Sequence, residues 1–376
     1  MRNLKRTLSL ALASVMLVGM MSVGASAVNA SDFTDADEIV NKDAVSTMTA
    51  LGIINGKEDG SYFDPTGNVT RAEMAKMLCV AINGGVDPVL GVKDTPTFTD
   101  IKGTWAESYI EYCAANGIIA GRGNNKFDPT GTVSATEAAK MLLGVLGYNA
   151  EKSGLVGNDW AINTNVLANQ NGLYKNLANL NANTLLTRDN AAQMIYNALD
   201  ANMVELNAAG NYTTSQYSYT GTESVVTGTE RVWVVKIKDS SVNDAVKALD
   251  GSVYNSRQDA IDTLDAANGS KLDSSKYTLE QKTQNVYGEN TVTKYADETM
   301  GHKYLSLITD GDAVLTDVEK DSKGTYTLYM NGITTKGQYT KVEGDYSNLI
   351  GQKVEVLYKD LSLIHISEPT RPISIS

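Results

Sequence analysis

Cysteine, histidine and positive charge are all scarce in this chain, and long apolar runs stop early. Two cysteines and two histidines among 376 residues leave no Cys/His metal cluster, and no P-loop or Rossmann glycine pattern occurs. Lysine and arginine number 32 against 44 acidic residues, a net charge of −12. That balance argues against nucleic acid, whose phosphates need clustered cations. Between Ser31 and Asp200 the count is 12 basic to 20 acidic residues, so an anionic ligand there must be held by a few local cations. After Val23 no long apolar stretch follows, and the mature chain is expected to carry no membrane span. Catalytic signals are absent: no catalytic residue, metal or cofactor is expected, and His302 reads as an ordinary surface residue.

The start of the chain has the layout of an export leader. Arg2, Lys5 and Arg6 precede an apolar run from Leu8 to Val23, followed by small residues through Ala27 and Ala30. A signal peptide over 1–30, cleaved after Ala27 or Ala30, is expected. The far end is unusual. "LSLIHISEPTR" (Leu361 to Arg371) resembles, codon for codon, a translated transposase-type sequencing adapter. Residues 361–376 are therefore set aside from the fold with His365, and the natural product is expected to continue past Asp360.

What is present is a repeat. "VTRAEMAKML" (Val69 to Leu78) returns as "VSATEAAKML" (Val133 to Leu142) and again as "LTRDNAAQMI" (Leu186 to Ile195). The repeat is longer than this element. Phe33 to Leu78 matches Phe98 to Leu142, and Asp159 to Leu199 is a worn third copy that keeps Trp160 and Gly172 but has lost "FDPTG". Apolar residues at three- and four-residue steps, such as Ala106, Tyr109, Ile110 and Cys113, predict a helix, which Gly117 can end. "FDPTG" is turn chemistry, and a second helix starts at Ser134. One helix pair has too small a core to stand alone, but three can pack together. Cys79 and Cys113 occupy positions where other copies have Leu143 and Met48, which favours buried free thiols over a bridge, although export permits one.

Thr70 with Glu73, and Ser134 with Glu137, fit capping boxes at the second helix of each copy. Capping leaves the arginine unexplained. A cation in a helix's first turn opposes the macrodipole by about 0.3–1 kcal/mol. Arg71 and Arg188 keep this position and Ala135 does not. Two readings stay open. Each arginine pairs with surface carboxylates, or it faces a groove and forks onto an anionic group beside the amides of the helix N-terminus.

The pattern "FTD…WA…GII.G…FDPTG.V(T/S)..E.AKML" resembles the S-layer homology module, found in threes near one terminus of Gram-positive surface proteins. The resemblance covers about Ser31 to Ala201. It implies modules over 31–85, 96–150 and 156–204 in an α-helical, pseudo-threefold bundle. The implied function is non-covalent anchoring in the cell wall: grooves bind anionic secondary cell-wall polysaccharide, often pyruvylated. Self-assembly in an S-layer is a further partner the family allows, and an exported, wall-bound location follows. The family's binding positions map onto Arg71 and Arg188, Trp105 and Trp160, and Asp35 and Asp100. Ala135 and Val40 depart from the pattern, so fewer than three fully equipped grooves are expected. Packing in the core is an equal reading of the two tryptophans.

Beyond a polar linker over 205–224, residues 225–360 read as a β-leaning α+β domain of unknown role. "RVWVVKIKD" and "NLIGQKVEVLYKD" are strand candidates, "VNDAVKALD" and "RQDAIDTLDAAN" short helices, and "YMNGIT" an Asn-Gly hairpin. The whole is multidomain. Two functions fit it: a non-enzymatic surface or S-layer protein, or the anchor of a surface enzyme with its catalytic domain further on.

Overall fold

A computed structural model describes residues 29–57, 60–177, 180, 183–331, 338–342, 345–359 and 362–367. The expected leader lies outside the described residues except for its last two. Of these, Ala30 is buried and its N–H donates to Ser46 Oγ (3.0 Å), so cleavage after Ala27 rather than Ala30 leaves this packing intact. The chain divides into two compact units, one of residues 1–215 with 297–376 and the other of residues 216–296.

The first unit begins with three helix pairs: α1 (Lys42–Ala50) with α2 (Arg71–Ile82), α3 (Glu107–Ala115) with α4 (Ala135–Val145), and α5 (Trp160–Gln170) with α6 (Arg188–Leu199). The glycines after α1, α3 and α5 (Gly52, Gly117 and Gly172) have φ of +72°, +71° and +69°, the left-handed ending that costs glycine no Cβ strain. The capping boxes expected at α2 and α4 are present. Thr70 accepts from Glu73 N–H while the Glu73 carboxylate accepts from Thr70 N–H, and Ser134 and Glu137 do the same. At α6 Thr187 accepts from Asn190 N–H. One apolar cluster runs through all three pairs, with Met48, Met74, Leu78, Ile110, Leu142 and Ile195 fully or almost fully buried.

The turns before α2, α4 and α6 interlock. Val69 N–H donates to Leu186 O (2.8 Å), Leu186 N–H to Val133 O (2.8 Å), and Val133 N–H to Val69 O (2.9 Å). These bonds close a ring through the three repeated elements, with bridges joining Asn68 to Thr187, Thr70 to Thr132 and Ser134 to Leu185. Each pair caps its own second helix, but the backbone just before that helix is completed by a neighbouring pair.

Cys79 and Cys113 are both buried, and their sulfurs lie 3.3 Å apart as free thiols where α2 meets α3. The hydrogen bond with Cys79, together with burial, pushes the Cys113 thiol well above the ordinary range.

After α6 a small hairpin forms from β1 (Val204–Leu206) and β2 (Tyr212–Thr214). The rest of this unit is an antiparallel sheet: β6 (Leu307–Lys320), β7 (Tyr326–Asn331), β8 (Gln338–Val342), β9 (Lys353–Lys359) and β10 (Ser362–Ser367), in the order β10-β9-β6-β7-β8. Its inner face buries Leu315, Leu328, Val354, Val356 and Tyr358. Leu307 and Leu357, with the helical Met300 and Leu305, join the apolar cluster of the helix pairs.

The second unit holds β3 (Gln216–Ile237) and β5 (Tyr277–Asp297) as long neighbours, with the short β4 (Val253–Tyr254) beside β3. The helices α7 (Asp244–Lys247) and α8 (Arg257–Asn268) close a small core around Val235, Val246, Ala260 and Leu264. They fall where "VNDAVKALD" and "RQDAIDTLDAAN" place them.

Three expected boundaries compare with the structure as follows. The domain expected over 225–360 is split, because residues from 297 onward pack on the helix pairs through Met300, Leu305, Leu307 and Leu357. The linker expected over 205–224 is extended and paired structure. Its Thr, Tyr and Val favour strands, but both faces stay wet, so no alternation of apolar and polar residues marks it. Within the tail set aside from the fold, residues 362–367 pair with β9, whose unpaired backbone edge accepts an extended segment. The turn of the expected Asn-Gly hairpin falls on residues 332–337, outside the described residues, and the strands on either side of it, β7 and β8, pair antiparallel.

Candidate functional site

The repeated arginines do not sit on the surface. Arg71 is 3% exposed and Arg188 is 5% exposed. Arg71 donates through Nε to Phe127 O (2.8 Å) and through Nη2 to Ala120 O (2.7 Å), with its guanidinium 4.4 Å from the Phe127 ring centre. Arg188 does the same to the first helix pair, donating through Nε to Phe63 O (2.8 Å) and through Nη2 to Asn55 O (2.9 Å), 5.1 Å from the Phe63 ring. Each arginine reaches from one helix pair into the "FDPTG" loop of another. Burial lowers both guanidinium pKa values, opposed by Glu137 at Arg71 and by Glu73 at Arg188. Surface ion pairing is thus overturned as the main account of these residues.

The helix N-termini are spoken for as well. Arg71 N–H donates to Gly131 O and Ala72 N–H to Pro129 O, while Arg188 N–H and Asp189 N–H donate to Gly67 O and Pro65 O. The amides expected to receive an anion already hold the neighbouring loop, which offsets the first-turn cation with carbonyl oxygens. At α4, Ala135 N–H donates to Thr184 O, and the third copy has no "FDPTG" loop. An arginine at position 135 would lack the phenylalanine carbonyl and ring that the other two find.

Asp35 and Asp100 are loop anchors. Asp35 accepts the amides of Phe63 (2.9 Å) and Asp64 (2.7 Å), and Asp100 accepts those of Phe127 and Asp128 (both 2.8 Å). These bonds hold Asp64 and Asp128 at φ of +62° and +63°, a strained conformation for a residue with a Cβ. Burial would raise the Asp100 carboxyl, but the two amides outweigh it and keep the pKa below the ordinary value.

One open cleft of about 620 Å³ lies between the helix pairs. Arg71, Arg122, Glu137, Lys140 and Trp160 line it, three cations against one carboxylate. Arg122 donates to Asp128 (2.9 Å) and Glu137 (2.8 Å) and stays 40% exposed. Lys140 stands 5.2 Å over the Trp160 ring, and among the described residues it has no ion-pair partner. Burial, then the nearby Arg71, lowers the Lys140 pKa. Trp105 is 60% exposed beside Tyr109, and Trp160 is half-buried, so neither is a core residue.

At the junction around Arg188 the repeat places Lys57, Glu73, Lys76 and Trp105 at the corresponding sequence positions. There Lys57 pairs with Asp64, and Lys76 pairs with Asp87 (2.8 Å) and lies 5.3 Å over the Tyr109 ring. At the third junction the same positions are Ala135, Asn190, Gln193 and Val40. Charge, ring and clamp are all missing together. The sequence did not single out Arg122 and Lys140, because a cation in a turn or on a helix carries no sign of which neighbouring copy it faces. The signal was present in "GRGNNK" and "AKML", where lysine or arginine recurs in copies one and two but not in copy three.

Residues 32–75 and 97–139 match the S-layer homology domain. The chain is 32% identical over 111 residues to an S-layer protein of Bacillus licheniformis, covering 30% of this chain and 12% of that protein. It is 29% identical over 156 residues to exoglucanase XynX of Acetivibrio thermocellus, covering 39% and 14%. It is 24% identical over 292 residues to the middle cell wall protein of Brevibacillus brevis, covering 77% and 25%. The chain thus spans a quarter or less of the length of each of these relatives. It carries two S-layer homology domains and is a secreted protein associated with the cell wall and surface. No helix among the described residues is long and apolar enough to cross a membrane.

Proposed function

We propose that residues 31–204 form a three-module, pseudo-threefold array that anchors the protein non-covalently to anionic secondary cell-wall polysaccharide. The cleft lined by Arg122, Lys140 and Trp160 carries this reading. An otherwise acidic chain gathers cations there beside an indole, a pairing that suits an acidic sugar. The ring of hydrogen bonds through Val69, Val133 and Leu186 supports counting the third pair as a module. In this reading Arg122, Lys140 and Trp160 contact the polymer at one junction, and Lys57, Lys76 and Trp105 at a second. Arg71 and Arg188 hold the junctions in shape, while Asp35 and Asp100 fix the loops. A pyruvylated polymer would supply the carboxylate. The role is non-catalytic, and S-layer assembly fits the same relatives.

The test is co-sedimentation of the whole chain with purified walls, with and without Lys140→Ala. The expected loss is about tenfold in affinity, the size of one charge-assisted contact. Unchanged retention would refute the cleft as the binding site. The match to exoglucanase XynX favours a second reading, in which the same anchor belongs to a polysaccharide-degrading enzyme. Reading the chromosomal gene past codon 360 separates the two.

A further inference from the structure

β5 is 21 residues long, and among the described residues it pairs with β3 and with no other strand. Its far edge therefore presents a long row of backbone donors and acceptors. Most of its side chains are exposed, including Tyr287 and Tyr295. Thr227 lies against Gly288 and Lys294 against Gly221, so the two strands run as a ribbon well beyond the small core around Val235. A two-stranded ribbon without a core beneath it is marginal alone, and an open edge of this length is a template for another strand.

The charges along β5 select the strand that fits. Laid antiparallel against a second copy of itself about Tyr287, the strand sets Glu280 opposite Lys294 twice, once on each side of the dyad. Lys282 then faces Val292 and Glu289 faces Asn285, so no like charges meet. Sliding the copies by one or two residues in either direction loses both pairs, and one of the two-residue slides sets Lys282 against Lys294. Directly opposed charges on neighbouring strands stabilise when unlike and destabilise when like. A self-complementary edge of this kind makes a closed, two-fold contact.

We propose that β5 is the seam of a homodimer, in which two copies join their β3–β5 ribbons edge to edge about Tyr287. Sedimentation velocity on the whole chain tests this, using the native protein, Lys294→Glu and the double variant Glu280→Lys with Lys294→Glu. The native chain is expected to dimerise with concentration. Lys294→Glu sets Glu against Glu at both ends of the seam and should raise the dimer Kd roughly tenfold. The double variant restores opposite charges and should return Kd to near the native value. Wall co-sedimentation should be the same for all three, which separates this seam from the anchoring site. A native chain that stays monomeric at its highest soluble concentration would overturn the proposal. So would a dimer indifferent to Lys294→Glu, or a double variant as weak as the single one.

Discussion

Between α2 and the second helix pair, and again between α6 and the first, a buried arginine crosses into a neighbour's loop. Between α4 and the third pair, an alanine stands in its place. The helix entries otherwise match: Thr70, Ser134 and Thr187 cap alike, and Val69, Val133 and Leu186 bond alike. The difference lies in the neighbour. Arg71 and Arg188 meet loops with Phe127 and Phe63, whereas the third copy lacks the "FDPTG" stretch that α4 would have met. A residue that changes in one copy can thus answer to a loss in another. The same junction that has no clamp also lacks the lysine and the tryptophan.

The largest expected effect breaks the clamp itself. Arg71→Ala or Arg188→Ala abandons two buried carbonyls and a ring contact, and should cost about 3 kcal/mol in chemical denaturation. A cost under about 0.5 kcal/mol, as for an ordinary surface change, would show that these bonds do not hold the junction. Next comes the reverse experiment. Ala135→Arg puts a long cation into a buried position without the acceptors the others use, and should destabilise by about 1–3 kcal/mol. A stabilised protein would mean that the third junction can still take a clamp. The smallest effect belongs to the cap that all junctions share: Thr70→Ala should cost about 1 kcal/mol and leave wall binding nearly unchanged.

Much of the helical part was legible because it repeats. Helix pairs, capping boxes, terminal glycines and apolar positions followed from comparing copies, and Cys79 and Cys113 fell where Leu143 and Met48 marked the core. Arg71 was legible as an anomaly but not as a clamp, since its acceptors, Ala120 and Phe127, are backbone atoms 49 and 56 residues away. Backbone carbonyls carry no sequence signature. The loop-anchoring bonds of Asp35 and Asp100 were not legible for the same reason, since their partners are amides. The β3–β5 ribbon was read in part as linker because strands wet on both faces lack the alternation that betrays a sheet.

We propose a division of labour: buried arginines hold the junctions, while the more accessible cations of the cleft and an indole meet the polymer. Calorimetric titration of purified wall polysaccharide into Lys140→Ala and Arg71→Ala, each paired with its melting curve, tests it most directly. The account predicts that Lys140→Ala melts like the native chain and binds about tenfold more weakly, while Arg71→Ala is the one that loses melting temperature. A stable Arg71→Ala that has lost affinity, beside a Lys140→Ala that binds normally, would reverse the roles and contradict it.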